Sequence, residues 1–184
     1  MEFESQVIKQ DGHGLNSVFK KDAALIEKVE TELYNELSDS KGPIREMCSH
    51  ILNAGGKRLR PLLVLYCGML FSDPGEMLIK AAAAAELIHM ASLVHDDIID
   101  NSMLRRNRPS LNCIWGNNFS VLCGDYLFAK AFGILSRNRL LRSMDLMVEA
   151  IQNMCYGEIL QAEDRFRQDI DADAYYNRIT KKTA

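Results

Sequence analysis

No two of the five cysteines (Cys48, Cys67, Cys113, Cys123, Cys155) stand in CxxC spacing. An odd, scattered set is the pattern of buried thiols in a reducing compartment, and it excludes both a disulfide framework and a cysteine-rich zinc site. No uninterrupted apolar run reaches the ~18 residues that suggest a membrane span. The first residues, MEFESQVIKQDGHG, are polar and of mixed charge, with no apolar signal-peptide core. Positive charge is also in short supply. Lys and Arg together number 22 against 25 acidic residues, a net charge of −3, so no broad basic surface exists to track a nucleic acid backbone. Nor does any stretch alternate apolar and polar residues with period two, which removes the signal for strands. What is left is a soluble, cytoplasmic, all-α protein with no nucleic acid partner and no membrane span.

The 184 residues are 47% hydrophobic, enough for a sizeable core. Residues 1–20 carry no periodicity and read as a flexible lead-in; residues 21–184 read as part of a single helical domain. Leu25, Ile26, Val29, Leu33 and Leu37 recur at three and four, which predicts an amphipathic helix ending near Gly42-Pro43. Pro43 and Pro61 each fall in the first turn of a further helix, where a missing N–H costs nothing. A longer helix is predicted from Glu76 through the alanine run to Asp100. Residues 101–109 read as a polar loop, followed by a helix through Val121, Leu122, Tyr126, Leu127, Ala131 and Leu135. A methionine-rich helix from about Leu140 to Arg167 is expected to pack in the core. After a turn at Asp169 to Asp173, a last helix runs from Tyr175.

The chemistry concentrates in HMASLVHDDIIDNSMLRRNRP, residues 89–109. Asp96 and Asp100 are four apart and share a helical face, while Asp97 lies about 100° round. Like charges converge there only if a cation holds them. Hard oxygen ligands without cysteine suit Mg²⁺, which keeps most of its waters and takes one or two carboxylates together with substrate phosphates. The arginines that follow, Arg105 and Arg106, offer planar forks for phosphate oxygens. Aspartate at the negative end of a helix dipole is locally unfavourable, a conflict expected where function overrides stability. The whole reads as a site for Mg²⁺ and diphosphate.

A second basic cluster, Gly55-Gly56-Lys57-Arg58-Leu59-Arg60-Pro61, fits a phosphate-cradling turn, although taken alone it fits a solvated basic turn better. His89 lies two turns before the acidic motif and fits either a ligand or a satisfied core histidine. His95, beside the aspartates, is expected to orient a carboxylate. Gly157-Glu158-Ile159-Leu160-Gln161 and Lys181-Lys182-Thr183 carry little weight alone.

Taken together and in order, GGKRLRP, HxxxxxHDDIIDxSxxRRxRPS, GNxxxVLxGDYLFAxA, GExxQ and the KT pair resemble the trans-isoprenyl diphosphate synthases, the polyprenyl synthetase family. The detail is most similar to the long-chain, hexa- to decaprenyl, members. The resemblance implies an isoprenoid synthase helical bundle with a central cavity. It implies Mg²⁺ ligation by Asp96 and Asp100, with Asp97 in the same network and all three in the catalytic set. It also implies an isopentenyl diphosphate site at Lys57, Arg60, His89 and Arg106, and an allylic prenyl diphosphate site at Arg105, Lys182 and Thr183, with Gln161 on the same wall. Arg105 and Lys182 would assist the departure of the allylic diphosphate. Ala91 and Ser92 stand where short-chain members carry aromatics, which implies a long all-trans product. A dimer is implied, as a homo-oligomer or heterodimer. The alternatives are a farnesyl or geranylgeranyl diphosphate synthase and a non-catalytic subunit of a heteromeric synthase.

Two departures stand out. Asn107 replaces the usual glycine after the arginine pair. No second aspartate-rich motif follows in this sequence, so the bundle is expected to be incomplete at its C-terminal end, binding diphosphate weakly and turning over little.

Overall fold

In a computed structural model, the structure describes residues 12–164 and 171–183, with side chains for 23–164 and 171–182. Seven helices are present among them: α1 (Gly12–Ser38), α2 (Pro43–Asn53), α3 (Leu59–Met69), α4 (Glu76–Ile99), α5 (Leu111–Arg137), α6 (Leu141–Asp164) and α7 (Ala172–Thr183). The all-α expectation holds. The chain divides into two compact units, Met1–Arg139 and Leu140–Ala184.

In the first unit α4 is the central helix, packed by α1, α3 and α5. Its small residues explain this position. Ala82, Ala83, Ala84, Leu87 and Ala91 are all fully buried, and alanine lets neighbouring helices approach. α1 buries Leu25, Val29, Leu33 and Leu37, the spacing expected from the sequence, although the helix already begins at Gly12. α5 contributes Cys123, Leu127, Ala131, Ile134 and Leu135 to the core. Val121 and Leu122 lie in the expected helix and are exposed. The helix is kinked at Gly116 (φ 79°, ψ 165°), whose carbonyl accepts a 2.9 Å hydrogen bond from Ser120 Oγ.

By length and composition α4 and α5 could each cross a membrane, although neither contains an uninterrupted apolar run of that length. In α4 the apolar surface is used internally, since 56% of the relevant window is buried in the protein.

The expected polar loop at 101–109 is instead a short hairpin. β1 (Leu104–Arg105) pairs antiparallel with β2 (Arg108–Pro109), Leu104 opposite Pro109 and Arg105 opposite Arg108. The two turn residues, Arg106 and Asn107, both have positive φ, 52° and 62°. That is the conformation whose twist matches a two-residue hairpin. Asparagine is among the few residues other than glycine that enter the left-handed region readily. Asn107 therefore preserves the turn that glycine would make.

The second unit pairs α6 with α7. Met144, Met147, Ile151 and Met154 are only half-buried in this unit, so they do not form the closed core expected of them. The predicted end of α6 at Arg167 and the start of the turn at Asp169 lie outside the described residues.

Candidate functional site

The glycine-rich turn before α3, His89 on α4 and the hairpin meet around one open cleft of about 440 Å³, whose walls include Gly56, Lys57, Arg58, Arg60, His89 and Arg106. All four residues of the expected isopentenyl diphosphate set are thereby brought together. Arg60 Nη1 donates to His89 Nε2 at 3.1 Å. A guanidinium has no acceptor, so Nε2 must present its lone pair and the imidazole is neutral. Burial, reinforced by Arg60, Arg106, Arg105 and Arg58, holds its pKa down at about 4. His89 thus adds no charge at neutral pH and leaves Lys57, Arg60 and Arg106 to attract an anion.

Gly56 seats one of these cations. A β-carbon at position 56 would lie 2.5 Å from Arg106 Nη1 and 3.1 Å from Nη2, so the guanidinium occupies the space a side chain would take. Gly55, at φ 66°, turns the chain as its sequence suggests, whereas the space Gly56 leaves for Arg106 is visible only in the fold.

At the end of α4 the three aspartates separate in role. Asp97 is buried and receives Arg105: Nε donates to Oδ1 at 2.9 Å and Oδ2 at 2.8 Å, and Nη2 reaches Oδ1 at 2.7 Å. This forked pair raises the Arg105 pKa above its ordinary value and latches β1 to the helix. Asp96 is half-buried and Asp100 exposed, one helical turn apart. Below them, Ser110 Oγ donates to the Ser102 carbonyl at 2.7 Å and Asn112 Nδ2 at 3.1 Å, which fastens the hairpin loop to the start of α5.

The donor set suits a hard cation. Among the described residues no group of three or more His, Cys, Asp or Glu converges on one point. Two carboxylates fit Mg²⁺, which completes its shell with water and ligand phosphate oxygens.

His95 turns away from the motif. Its Nε2 lies 3.5 Å from Asp125 Oδ1 and 3.3 Å from the Val121 carbonyl, and its ring packs on Phe128. The carboxylate it meets belongs to α5, not to the aspartate motif. Ala91 is fully buried, and Ser92 is half-buried with its hydroxyl donating to the His89 carbonyl at 2.8 Å. A smaller cavity of about 60 Å³ is lined by Met90, Leu93 and Val94 together with His50, Arg105 and Arg106.

In the second unit the GExxQ and KT segments, separate in sequence, meet. Lys182 Nζ pairs with Glu158 and donates to Gln161 Oε1 at 3.0 Å. Gly157 makes this possible, because a β-carbon there would stand 2.6 Å from the Lys182 backbone nitrogen. The Thr183 side chain lies outside the described residues.

The missed residue is Arg58. In the sequence it stands inside the basic cluster with no role of its own, yet its side chain is buried, with Nη1 2.9 Å from Glu86 Oε1 and Nε 3.2 Å from Glu30 Oε1. The signal available was weak: an arginine between two residues assigned to the cleft.

Residues 41–184 match the model of the polyprenyl synthetase family. The chain is 42% identical over 156 residues to heptaprenyl diphosphate synthase component 2 of Geobacillus stearothermophilus, covering 85% of this chain and 49% of that protein. It is 32% identical to the octaprenyl diphosphate synthase of Escherichia coli, covering 85% and 48%. Among solved structures, a decaprenyl diphosphate synthase from Rhodobacter capsulatus superimposes with a TM-score of 0.83 at 35% identity, over 91% of this chain and 52% of that one. The chain spans about half the length of the curated relatives it matches. With the motifs, the helical fold and these matches in agreement, the chain belongs to the polyprenyl synthetase family.

Proposed function

We propose that this chain forms one wall of the active site of a Mg²⁺-dependent prenyltransferase that adds isopentenyl diphosphate head-to-tail to an allylic prenyl diphosphate. The observation that carries this reading is the cleft that gathers Lys57 from the glycine-rich turn, Arg60 from α3, His89 from α4 and Arg106 from the hairpin. α4 lines that cleft with His89, and Asp96 and Asp100 follow at its C-terminal end about 10 Å and about 16 Å further on, at about 1.5 Å per residue.

In the reaction, the C1–O bond of the allylic substrate breaks and its electron pair leaves with the diphosphate. The double bond of isopentenyl diphosphate attacks the resulting cation, forming a carbon–carbon bond. Loss of a proton from the adjacent carbon restores a double bond in a product one isoprene unit longer. Lys57, Arg60 and Arg106 hold the isopentenyl diphosphate by charge, and His89, neutral, accepts from Arg60 and fixes its direction. Asp96 and Asp100 would hold Mg²⁺, which when bound offsets the charge on the departing diphosphate. Positive charge placed in advance where negative charge develops is the useful form of catalysis here. Arg105 reaches that charge only by exchanging Asp97 for a phosphate; Lys182, in the second unit, is held by Glu158 and Gln161.

Long-chain product is supported by the heptaprenyl, octaprenyl and decaprenyl relatives and by the small residues Ala91 and Ser92. A heteromeric assembly is supported by the relative named as a component 2, and cytoplasmic placement by the free, scattered cysteines. The test is Mg²⁺-dependent incorporation of isopentenyl diphosphate into farnesyl diphosphate, read by chromatography, together with direct binding of isopentenyl diphosphate. Binding lost in Lys57→Ala and Arg106→Ala supports the reading. Binding equal in wild type and both variants sinks it.

A further inference from the structure

We propose that Arg58 is a positioning residue: clamped between Glu86 and Glu30, it fixes the backbone turn that sets Lys57 and Arg60 against His89. The inference rests on the reading of the cleft as an anion site and names a residue that shapes it without holding the anion.

Arg58 precedes α3 in the left-handed conformation, φ 50° and ψ 35°. For a residue with a β-carbon this conformation is strained and persists only where the surroundings over-determine it. Here they do. The guanidinium is tied at 2.9 Å to Glu86, both side chains almost without exposure, and at 3.2 Å to the more accessible Glu30. Glu86 sits three residues before His89, one turn along the same helix, so the clamp joins residue 58 to the part of α4 that presents the imidazole. Lys57 is adjacent to the clamped residue and Arg60 two beyond it. Although Arg58 borders the cleft, its charge faces two carboxylates, one of them buried beside it.

This arrangement gives the idea a sign that simple electrostatics opposes. Glu86→Leu removes a negative charge from the wall of a cation-rich cleft, so charge alone predicts tighter binding of inorganic pyrophosphate. Loss of the clamp predicts weaker binding, by about tenfold. The paired variant Arg58→Met with Glu86→Leu leaves net charge unchanged and replaces a buried ion pair by apolar side chains, a change often neutral or favourable for folding. The same weakening is expected there, with the melting temperature at or above that of wild type.

A second readout needs no ligand. The charged groups facing His89 are Arg60 from α3, Arg105 and Arg106 from the hairpin, and Arg58 with Glu86. Loss of the Glu86 charge alone drives the imidazole titration, followed by NMR, further down. Release of Arg60 drives it up toward the ordinary 6.5. Upward movement in both variants supports the positioning role. A titration unmoved or lowered in both, with pyrophosphate bound as tightly as by wild type or tighter, overturns it. If wild type binds no pyrophosphate while the titration rises in the variants, the anion reading fails and the positioning of His89 by Arg58 stands.

Discussion

Arg106 lays its guanidinium across Gly56, in the space where any other residue would carry its β-carbon. Because the obstructing atoms are the far end of a flexible side chain, Gly56→Ala is expected to leave the fold intact and push the guanidinium aside. A charge-assisted hydrogen bond to phosphate is worth about 1.5–3 kcal/mol, so pyrophosphate affinity should fall about tenfold or more. The melting temperature should move by no more than a few degrees. Isothermal titration and thermal unfolding check both; a large drop in melting temperature with unchanged affinity contradicts the seat.

The neutrality of His89 gives the site a pH signature. Its folded pKa, about 4, lies below the ordinary 6.5, so between these values the unfolded chain binds more protons than the folded one. The contribution to stability is complete above about 6.5 and is lost as pH falls toward about 4. His89→Asn should flatten that part of the stability profile, measured by urea unfolding at several pH values. An anion in the cleft offsets Arg60 and Arg106 and raises the imidazole pKa, so pyrophosphate binding near pH 5.5 should take up protons. Calorimetry in two buffers of different ionisation enthalpy detects the uptake, and His89→Asn should take up fewer protons than wild type, leaving only the exchange due to the ionisation of pyrophosphate itself.

The hairpin turn offers a backbone test. Asn107 holds φ 62°, which glycine shares without strain and a β-branched residue does not. Asn107→Gly should retain stability and anion binding, whereas Asn107→Val should cost about 1–3 kcal/mol. Its effect should also reach pyrophosphate binding, since Arg106 is the other turn residue. Valine tolerated at no cost to either would show that the turn is not held as described.

Much of this was legible in the sequence because it depends on local pattern. Spacing at three and four marked Leu25, Val29, Leu33 and Leu37, and ordered motifs marked Lys57, Arg60, His89 and Arg106. What escaped depends on which side chain reaches which across the fold. Arg105 and Arg106 are adjacent and chemically identical, yet the hairpin sends one to Asp97 and the other to Gly56. Lys57 and Arg58 differ in the same way, one in the open cleft and one clamped by Glu86. The hairpin itself was hidden because each strand is two residues long, too short for any alternation to register.

The Asp97–Arg105 fork makes the last prediction, one that separates latch from ligand. Arg105 binds both oxygens of a buried carboxylate, and that carboxylate is left unpaired if the fork is removed. Arg105 itself is partly exposed, so Arg105→Ala should destabilise the first unit by about 1–3 kcal/mol, the cost of leaving a buried carboxylate without its partner. Arg105→Lys keeps the charge but cannot span two oxygens, and should recover only part of the loss. Asp97→Asn frees Arg105 from its strongest partner. If Arg105 can exchange carboxylate for phosphate, Asp97→Asn should bind pyrophosphate more tightly than wild type while unfolding at lower urea. If Arg105 is a latch alone, the same variant should lose stability and bind pyrophosphate no better, because the hairpin that carries Arg106 has come loose. Stability and affinity measured on the same samples decide between the two, and the sign of the affinity change tells whether Arg105 belongs to the diphosphate site.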